Sequence, residues 1–324
     1  MNGQSVLPAN KISSKRKIAG KESMRIIPSS APSDLEKSII AHIGIQPSPI
    51  TIKKFANGET YINILEDMRN KDVFIMHTTG NSINDNLMET YLKADACKRM
   101  GAHKIVVIMP NFPYARQDRK TEFGEPISAR LNIALLYTSG VNEVITIDIH
   151  AAAIQGFARL MNLTELSSLN VMTKYFKNKH FDQKNLCVIS PDLGGVKRAD
   201  RLARALKCDK AVVYKERTAH NQVKAEMLLG NVKGKECIIY DDMIDTAGTI
   251  TEASKMLKNN GANKIYIAAS HGLFNGPAIE RLQEAPIDEI VITNSEKLPT
   301  TTYKKIKQVD MAPDIIKIMF DISC

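Results

Sequence analysis

The strongest constraint on this chain is a short string that occurs twice. Gly101-Ala-His-Lys-Ile105 returns as Gly261-Ala-Asn-Lys-Ile265, 160 residues later. Asp85 and Asp245 stand at the same displacement, each 16 residues before its glycine. Upstream, Lys71-Asp-Val-Phe-Ile-Met76 matches Lys235-Glu-Cys-Ile-Ile-Tyr240 at a displacement of 164. Three features in one order indicate duplication, with the four extra residues of the first copy expected in its strand-to-helix loop. A chain of 324 residues has room for two such copies, each with its own core.

Short Val- and Ile-rich runs alternate with amphipathic stretches from Met24 onward, the pattern of an α/β protein with mainly parallel strands. Strands are predicted at 73–76, 105–109, 144–147, 186–189, 211–214, 237–240, 264–268 and 289–292. Ile250, Ala253, Met256 and Leu257 share one face of a helix. The expected organisation is a disordered basic tail over 1–23 and two similar domains over 24–165 and 166–324. A return of the last residues onto the first domain is left open.

Composition removes several classes. No run of 18 apolar residues occurs, so no membrane helix is expected. Trp is absent and aromatics make up 6%, which disfavours a stacking platform for single strands of nucleic acid. Five scattered Cys lack CxxC spacing, so neither a zinc site nor a disulfide framework is readable. The net charge is +9, of which +4 lies in residues 1–23. That segment reads as a solvated tail of a cytoplasmic protein, with organellar targeting not excluded.

The sharpest chemical signal is Ile238-Ile-Tyr-Asp-Asp-Met-Ile-Asp-Thr-Ala-Gly-Thr-Ile250. A strand is expected to end in Asp241 and Asp242, followed by a small, hydroxyl-rich turn that opens a helix. Asp245, Thr246, Ala247, Gly248 and Thr249 would turn backbone N–H groups and two hydroxyls toward one point, which suits a phosphate. Adjacent carboxylates suit neighbouring sugar hydroxyls or a bound Mg²⁺. An N-capping cluster without a ligand is the plainer alternative.

Residues 241–249 resemble the ribose-phosphate-binding loop of type I phosphoribosyltransferases and ribose-phosphate pyrophosphokinases. Lys54-Phe-Ala-Asn-Gly-Glu59, Phe112-Pro-Tyr-Ala-Arg-Gln-Asp118, Asp148-Ile-His150, Ser190-Pro-Asp-Leu-Gly-Gly195 and Lys215-Glu-Arg217 with Asn221 select the second group. The resemblance runs unbroken from about Met24 to about Asp310. It implies two tandem type I phosphoribosyltransferase-like domains, each a mainly parallel sheet flanked by helices. The implied activity is transfer of the diphosphoryl group of Mg–ATP to the anomeric hydroxyl of ribose 5-phosphate, giving phosphoribosyl pyrophosphate and AMP.

The same resemblance implies the site. Lys215 and Arg217 stabilise the transferring group; Phe55, Asn57, Glu59, Arg116, Gln117 and His150 bind ATP; Asp241, Asp242 and 245–249 bind ribose 5-phosphate. His150 and Asp192 hold Mg²⁺, although imidazole suits phosphate or a coordinated water as well as the metal. Phe55, Asn57 and Glu59 reach a neighbouring subunit's site, so a homo-oligomer of at least a dimer is expected, with a hexamer among the open assemblies. Taken alone, the charged loop at 116–120 reads as a solvated face and Lys215-Glu-Arg217 as a surface cluster. No nucleic acid or membrane partner is expected. A catalytically silent regulatory relative and a phosphoribosyltransferase are the rivals.

Two departures from the family pattern carry expectations. Ala158-Arg-Leu-Met-Asn-Leu163 stands where the family usually has a Pro-Val-Asp stretch, so a second metal is doubtful. Asp67 and Ala152 replace serines usual in members inhibited allosterically by ADP, so that control is expected to be weak.

Overall fold

The computed structural model describes residues 21–80, 82–217, 223–299 and 303–323, with the side chains of 215–217 and 223–226 outside that description. Residues 1–20, the bulk of the expected tail, and Asn221 lie outside the described residues. The chain forms two compact units. One runs to Leu166 and regains the chain from Ala312; the other is Ser167–Met311.

The first unit contains β1 (Met24–Ile27), α1 (Asp34–Ile43), β2 (Ile50–Lys54), β3 (Thr60–Ile64), β4 (Asp72–Met76), α2 (Ile83–Arg99), β5 (Lys104–Ile108), α3 (Ser128–Ser139), β6 (Glu143–Ile147), a 3₁₀ helix (Ala152–Phe157) and β7 (Asn162–Leu166). Its sheet has the order β1-β4-β5-β6-β7 and is parallel throughout. β2 and β3 form a separate antiparallel hairpin.

The second unit contains α4 (Leu169–Lys177), β8 (Leu186–Ser190), α5 (Val196–Leu206), β9 (Asp209–Arg217), β10 (Val223–Leu229), β11 (Glu236–Ile244), α6 (Gly248–Asn259), β12 (Lys264–Gly272), α7 (Ala278–Glu284), β13 (Glu289–Thr293) and β14 (Ile306–Val309). Its sheet has the order β10-β9-β8-β11-β12-β13-β14, with β10 the antiparallel edge. The final helix, α8 (Ala312–Ile322), belongs to the first unit and packs on α1. α4 packs on α5 in the corresponding way, so the helix after each sheet's last strand sits in the other unit.

All eight predicted strands are present. The unpredicted ones are β1, β2, β3, β7, β10 and β14, which are short, half-buried or at sheet edges and so carry no long apolar run. The strands that were legible are buried on both faces, as parallel strands covered by helices must be.

The repeat is visible in hydrogen bonds. Gly101 and Gly261 take φ of +80° and +84° just past α2 and α6. Ala102 N–H donates to Cys97 C=O at 3.1 Å, and Ala262 N–H to Leu257 C=O at 3.0 Å. Both are the long bond of a left-handed helix C-cap, which satisfies an otherwise orphaned carbonyl. Cys97 and Leu257 then stand at matching places, buried against Val73 and Val107 in one core and Cys237 and Ile267 in the other.

The four extra residues of the first copy fall between Met76 and Asp85, the stretch that corresponds to Tyr240–Asp245. The connection from β4 to α2 is the longer one, 77–82 against 245–247 after β11, and α2 also starts earlier relative to its closing glycine than α6 does.

Candidate active site

In the second unit the site grows from an asymmetry in strand length. β11 pairs with β8 only as far as Ile239 opposite Ile189, but with β12 as far as Ile244 opposite Gly272. Asp241 and Asp242 therefore lie inside β11 and not past its end, which corrects the expected strand boundary. The longer partner β12 keeps the strand extended, while β8 has already turned away toward α5. One edge of β11 is thus left open at the acidic pair.

α5 supplies the group that faces this edge. Arg198 Nη1 lies 3.0 Å from Asp241 Oδ1 and 3.3 Å from Asp242 Oδ1. Asp242 N–H also donates to Asp241 Oδ1, at 2.8 Å. Asp242 is buried and Asp241 half-buried. Burial, then the neighbouring Asp242 carboxylate, pushes the Asp241 carboxyl well above the usual carboxylate range, and Arg198 opposes that shift. Ligands that donate hydrogen bonds, such as neighbouring sugar hydroxyls, suit such a pair.

The loop from Asp245 opens α6. Ala247 adopts the left-handed conformation, φ +60°, with its side chain buried, and its carbonyl accepts the Thr251 N–H at 3.0 Å. The first-turn N–H groups of α6 have no partner within the helix. The loop is held from behind by the segment after β12 and by α7. Asn275 Nδ2 donates to Asp245 Oδ1 at 2.8 Å, and Arg281 Nη1 donates to the Thr246 carbonyl at 3.0 Å. A loop held from behind, the first-turn N–H groups and the helix dipole are features that suit an anion such as phosphate.

Asp192 follows β8. Its Oδ1 accepts the Gly195 N–H at 2.9 Å, and the Ser190 hydroxyl donates to its carbonyl at 2.6 Å. A Cβ at Gly195 would sit 2.8 Å from Ser190 Oγ, so this glycine is required by the turn itself. β9 runs on through Lys215 and Arg217, which stand opposite Glu226 and Val223 of β10.

In the first unit, the loop after β5 is anchored by buried Phe112 and Ala115 and then turns Arg116 and Gln117 outward. Gln117 Oε1 accepts from the Ser128 hydroxyl at 2.6 Å, tying the loop to the start of α3. His150, just past β6, is exposed. Phe55, Asn57 and Glu59 gather at the tip of the β2–β3 hairpin, where Phe55 N–H donates to Glu59 C=O at 2.8 Å. The Phe55 ring meets Tyr61 edge-on, 5.8 Å between centroids, and is 55% exposed. An aromatic so exposed is available to stack.

Sequence reasoning missed Arg198, Asn275 and Arg281. Arg198 is one of several cations on α5 and reads as part of a solvated face; only the β8–β11 pairing brings it to the aspartates. Among the described residues no group of three or more His, Cys, Asp or Glu side chains forms a metal-holding cluster. No helix among the described residues is long and apolar enough to cross a membrane.

Two tandem α/β units with mainly parallel sheets, one carrying an acidic pair in β11 and a small-residue loop that opens α6, define a phosphoribosyltransferase-like fold. Residues 24–140 match the N-terminal domain of ribose phosphate pyrophosphokinase, and 218–320 match the phosphoribosyl synthetase-associated domain. The chain is 44% identical over 276 residues to a ribose-phosphate pyrophosphokinase of Fusobacterium nucleatum, covering 85% of this chain and 86% of that one. It is 38% identical over 295 residues to a ribose-phosphate pyrophosphokinase of Bacillus subtilis, covering 91% and 92%. The crystal structure of phosphoribosylpyrophosphate synthetase from Mycobacterium smegmatis superposes with a TM-score of 0.87 at 32% identity, covering 93% of this chain and 98% of that one. The chain belongs to the ribose-phosphate pyrophosphokinase family.

Proposed function

We propose that this chain transfers the β,γ-diphosphoryl group of ATP to the anomeric hydroxyl of ribose 5-phosphate, giving phosphoribosyl pyrophosphate and AMP. The observation that carries the reading is the acidic pair of β11 beside the loop at 245–249, in a chain of this family. The hydroxyl oxygen bonds to the β-phosphorus, the bridge between the α- and β-phosphates breaks, and the hydroxyl proton is released. Attack and departure are roughly in line.

The loop from Asp245 to Thr249 anchors the 5-phosphate. Asp241 and Asp242 accept hydrogen bonds from the ribose hydroxyls and so aim the anomeric oxygen. Lys215, Arg217 and Arg116 stabilise charge on the transferring group, and Gln117 and His150 bind the nucleotide. Positioning and charge stabilisation suffice without a general base. Phe55, Asn57 and Glu59 bind adenine of the neighbouring subunit's ATP, which makes a homo-oligomer the working form.

Mg²⁺ would supply charge neutralisation at the phosphates. Asp192 fits it: one carboxylate oxygen is taken by Gly195 N–H and the hard, anionic group suits the ion. His150 fits less well as a direct ligand and better as a partner of phosphate or of a coordinated water.

The test is product analysis with purified protein, ATP, Mg²⁺ and ribose 5-phosphate. AMP and phosphoribosyl pyrophosphate should form in equal amounts and only when the sugar phosphate is present. Release of ADP would overturn the reading, and ATP binding without turnover would mark a catalytically silent relative.

A further inference from the structure

Arg198 touches both carboxylates that the proposed function assigns to the ribose hydroxyls, yet has no role in the reaction as described so far. It projects from the first turn of α5, whose Ala199, Leu202, Ala203 and Leu206 are buried and fix the helix against its sheet. Its guanidinium is half-buried, and a single nitrogen, Nη1, reaches Oδ1 of Asp241 and of Asp242. We infer that Arg198 is a positioning residue for sugar recognition: it clamps the acidic pair in one rotameric arrangement and thereby sets the selection for a sugar bearing both ring hydroxyls.

The argument is one of geometry and charge. Adjacent aspartates on a strand point to opposite faces unless something draws them together, since side chains alternate. A buried and a half-buried carboxylate also repel, and Arg198 opposes that repulsion. The peptide N–H of Asp242 restrains only Asp241. Arg198 reaches both. One nitrogen of the planar guanidinium bridges an oxygen of each carboxylate and so restrains how both groups turn, and that orientation decides which hydroxyl pattern is accepted. A lysine could neutralise the pair but not impose the same plane.

The inference rests on the proposed function, and its test separates the two. AMP formation by the unaltered protein, with and without ribose 5-phosphate, checks the reaction. Arg198 is checked by comparing ribose 5-phosphate with 2-deoxyribose 5-phosphate, by kcat/KM and by calorimetric binding, in the unaltered chain, Arg198→Met and Arg198→Lys. Arg198→Met should lower kcat/KM for ribose 5-phosphate about ten- to hundredfold, the loss expected for charged hydrogen bonds. KM for ATP should stay within about twofold, and the preference for ribose over 2-deoxyribose should collapse. Arg198→Lys should restore rate in part and preference much less. The binding arm reads the same preference if no turnover occurs, and the lysine variant serves if the methionine variant fails to fold. Retention of the full sugar preference in either variant, or its absence in the unaltered chain, would overturn the inference.

Discussion

Gly101 and Gly261 end their helices in the same left-handed conformation, with Asn70 N–H and Gly234 N–H donating to their carbonyls at 2.9 and 2.8 Å. The duplication has preserved a backbone device as well as a sequence string. An L side chain in this conformation costs about 1–2 kcal/mol. Gly101→Ala and Gly261→Ala should each destabilise their own unit by about that amount in denaturant unfolding. Gly261→Ala should be the worse of the two, because its Cβ would come within 3.3 Å of Lys233 Cγ, against 3.8 Å from Arg69 Cγ at Gly101. Unchanged unfolding midpoints in both variants would remove the cap from the account of the repeat.

Lys93 is fully buried in the first unit, its Nζ 2.5 Å from Glu89 Oε1 and from the Pro28 carbonyl. Glu89 also accepts the Ser30 N–H at 3.1 Å, so the pair ties α2 to the segment after β1. Burial lowers the pKa of Lys93 and raises that of nearby Glu36. Removing one partner strands a buried charge, at a cost of about 3–5 kcal/mol. Lys93→Met should be that much less stable, and Lys93→Met with Glu89→Leu should recover a large share. A double variant as unstable as the single one would contradict the coupling.

His77 follows β4, buried, with Nδ1 2.9 Å from Thr90 Oγ1. Burial, reinforced by the Lys93 charge, pushes its pKa down to about 3. The unfolded chain takes up this proton near pH 6.5 and the folded chain does not, so the contribution is whole above pH 6.5 and is lost as the pH falls toward 3. The slope reaches about 1.4 kcal/mol per pH unit. Denaturant titrations between pH 4 and 7 should therefore show a shallower fall for His77→Gln than for the unaltered protein. Parallel curves would sink the assignment.

Asp67 presents a carboxylate, which would repel a diphosphate, and its Oδ1 already accepts the Arg69 N–H at 3.0 Å. Ala152, which opens the 3₁₀ helix, offers no hydroxyl. ADP should then inhibit only by competing with ATP, and inhibition should vanish as ATP saturates. Strong inhibition at saturating ATP would show a separate ADP site.

Much of the fold was legible because it is local or periodic. Buried parallel strands show as apolar runs, and the paired Gly-Ala-X-Lys-Ile strings revealed two copies before any geometry. The loop at 245–249 was legible for a similar reason: a strand-to-helix turn is built from consecutive residues. Edge strands such as β10 and β14 were not, since half of each faces outward and local composition cannot separate them from a loop. The extent of β11 escaped as well, because the length of β12 beside it keeps Asp241 and Asp242 in an extended strand.

The sequence by itself determined the duplication, the α/β class, the acidic pair and the loop that opens α6, all properties of neighbouring residues or of repeated ones. Tertiary structure alone decided that Arg198 faces that pair across 43 residues of chain, and that α8 joins the first unit. Both depend on which strands lie side by side. Strand pairing is a long-range choice made by whole buried surfaces, and no short window of residues records it.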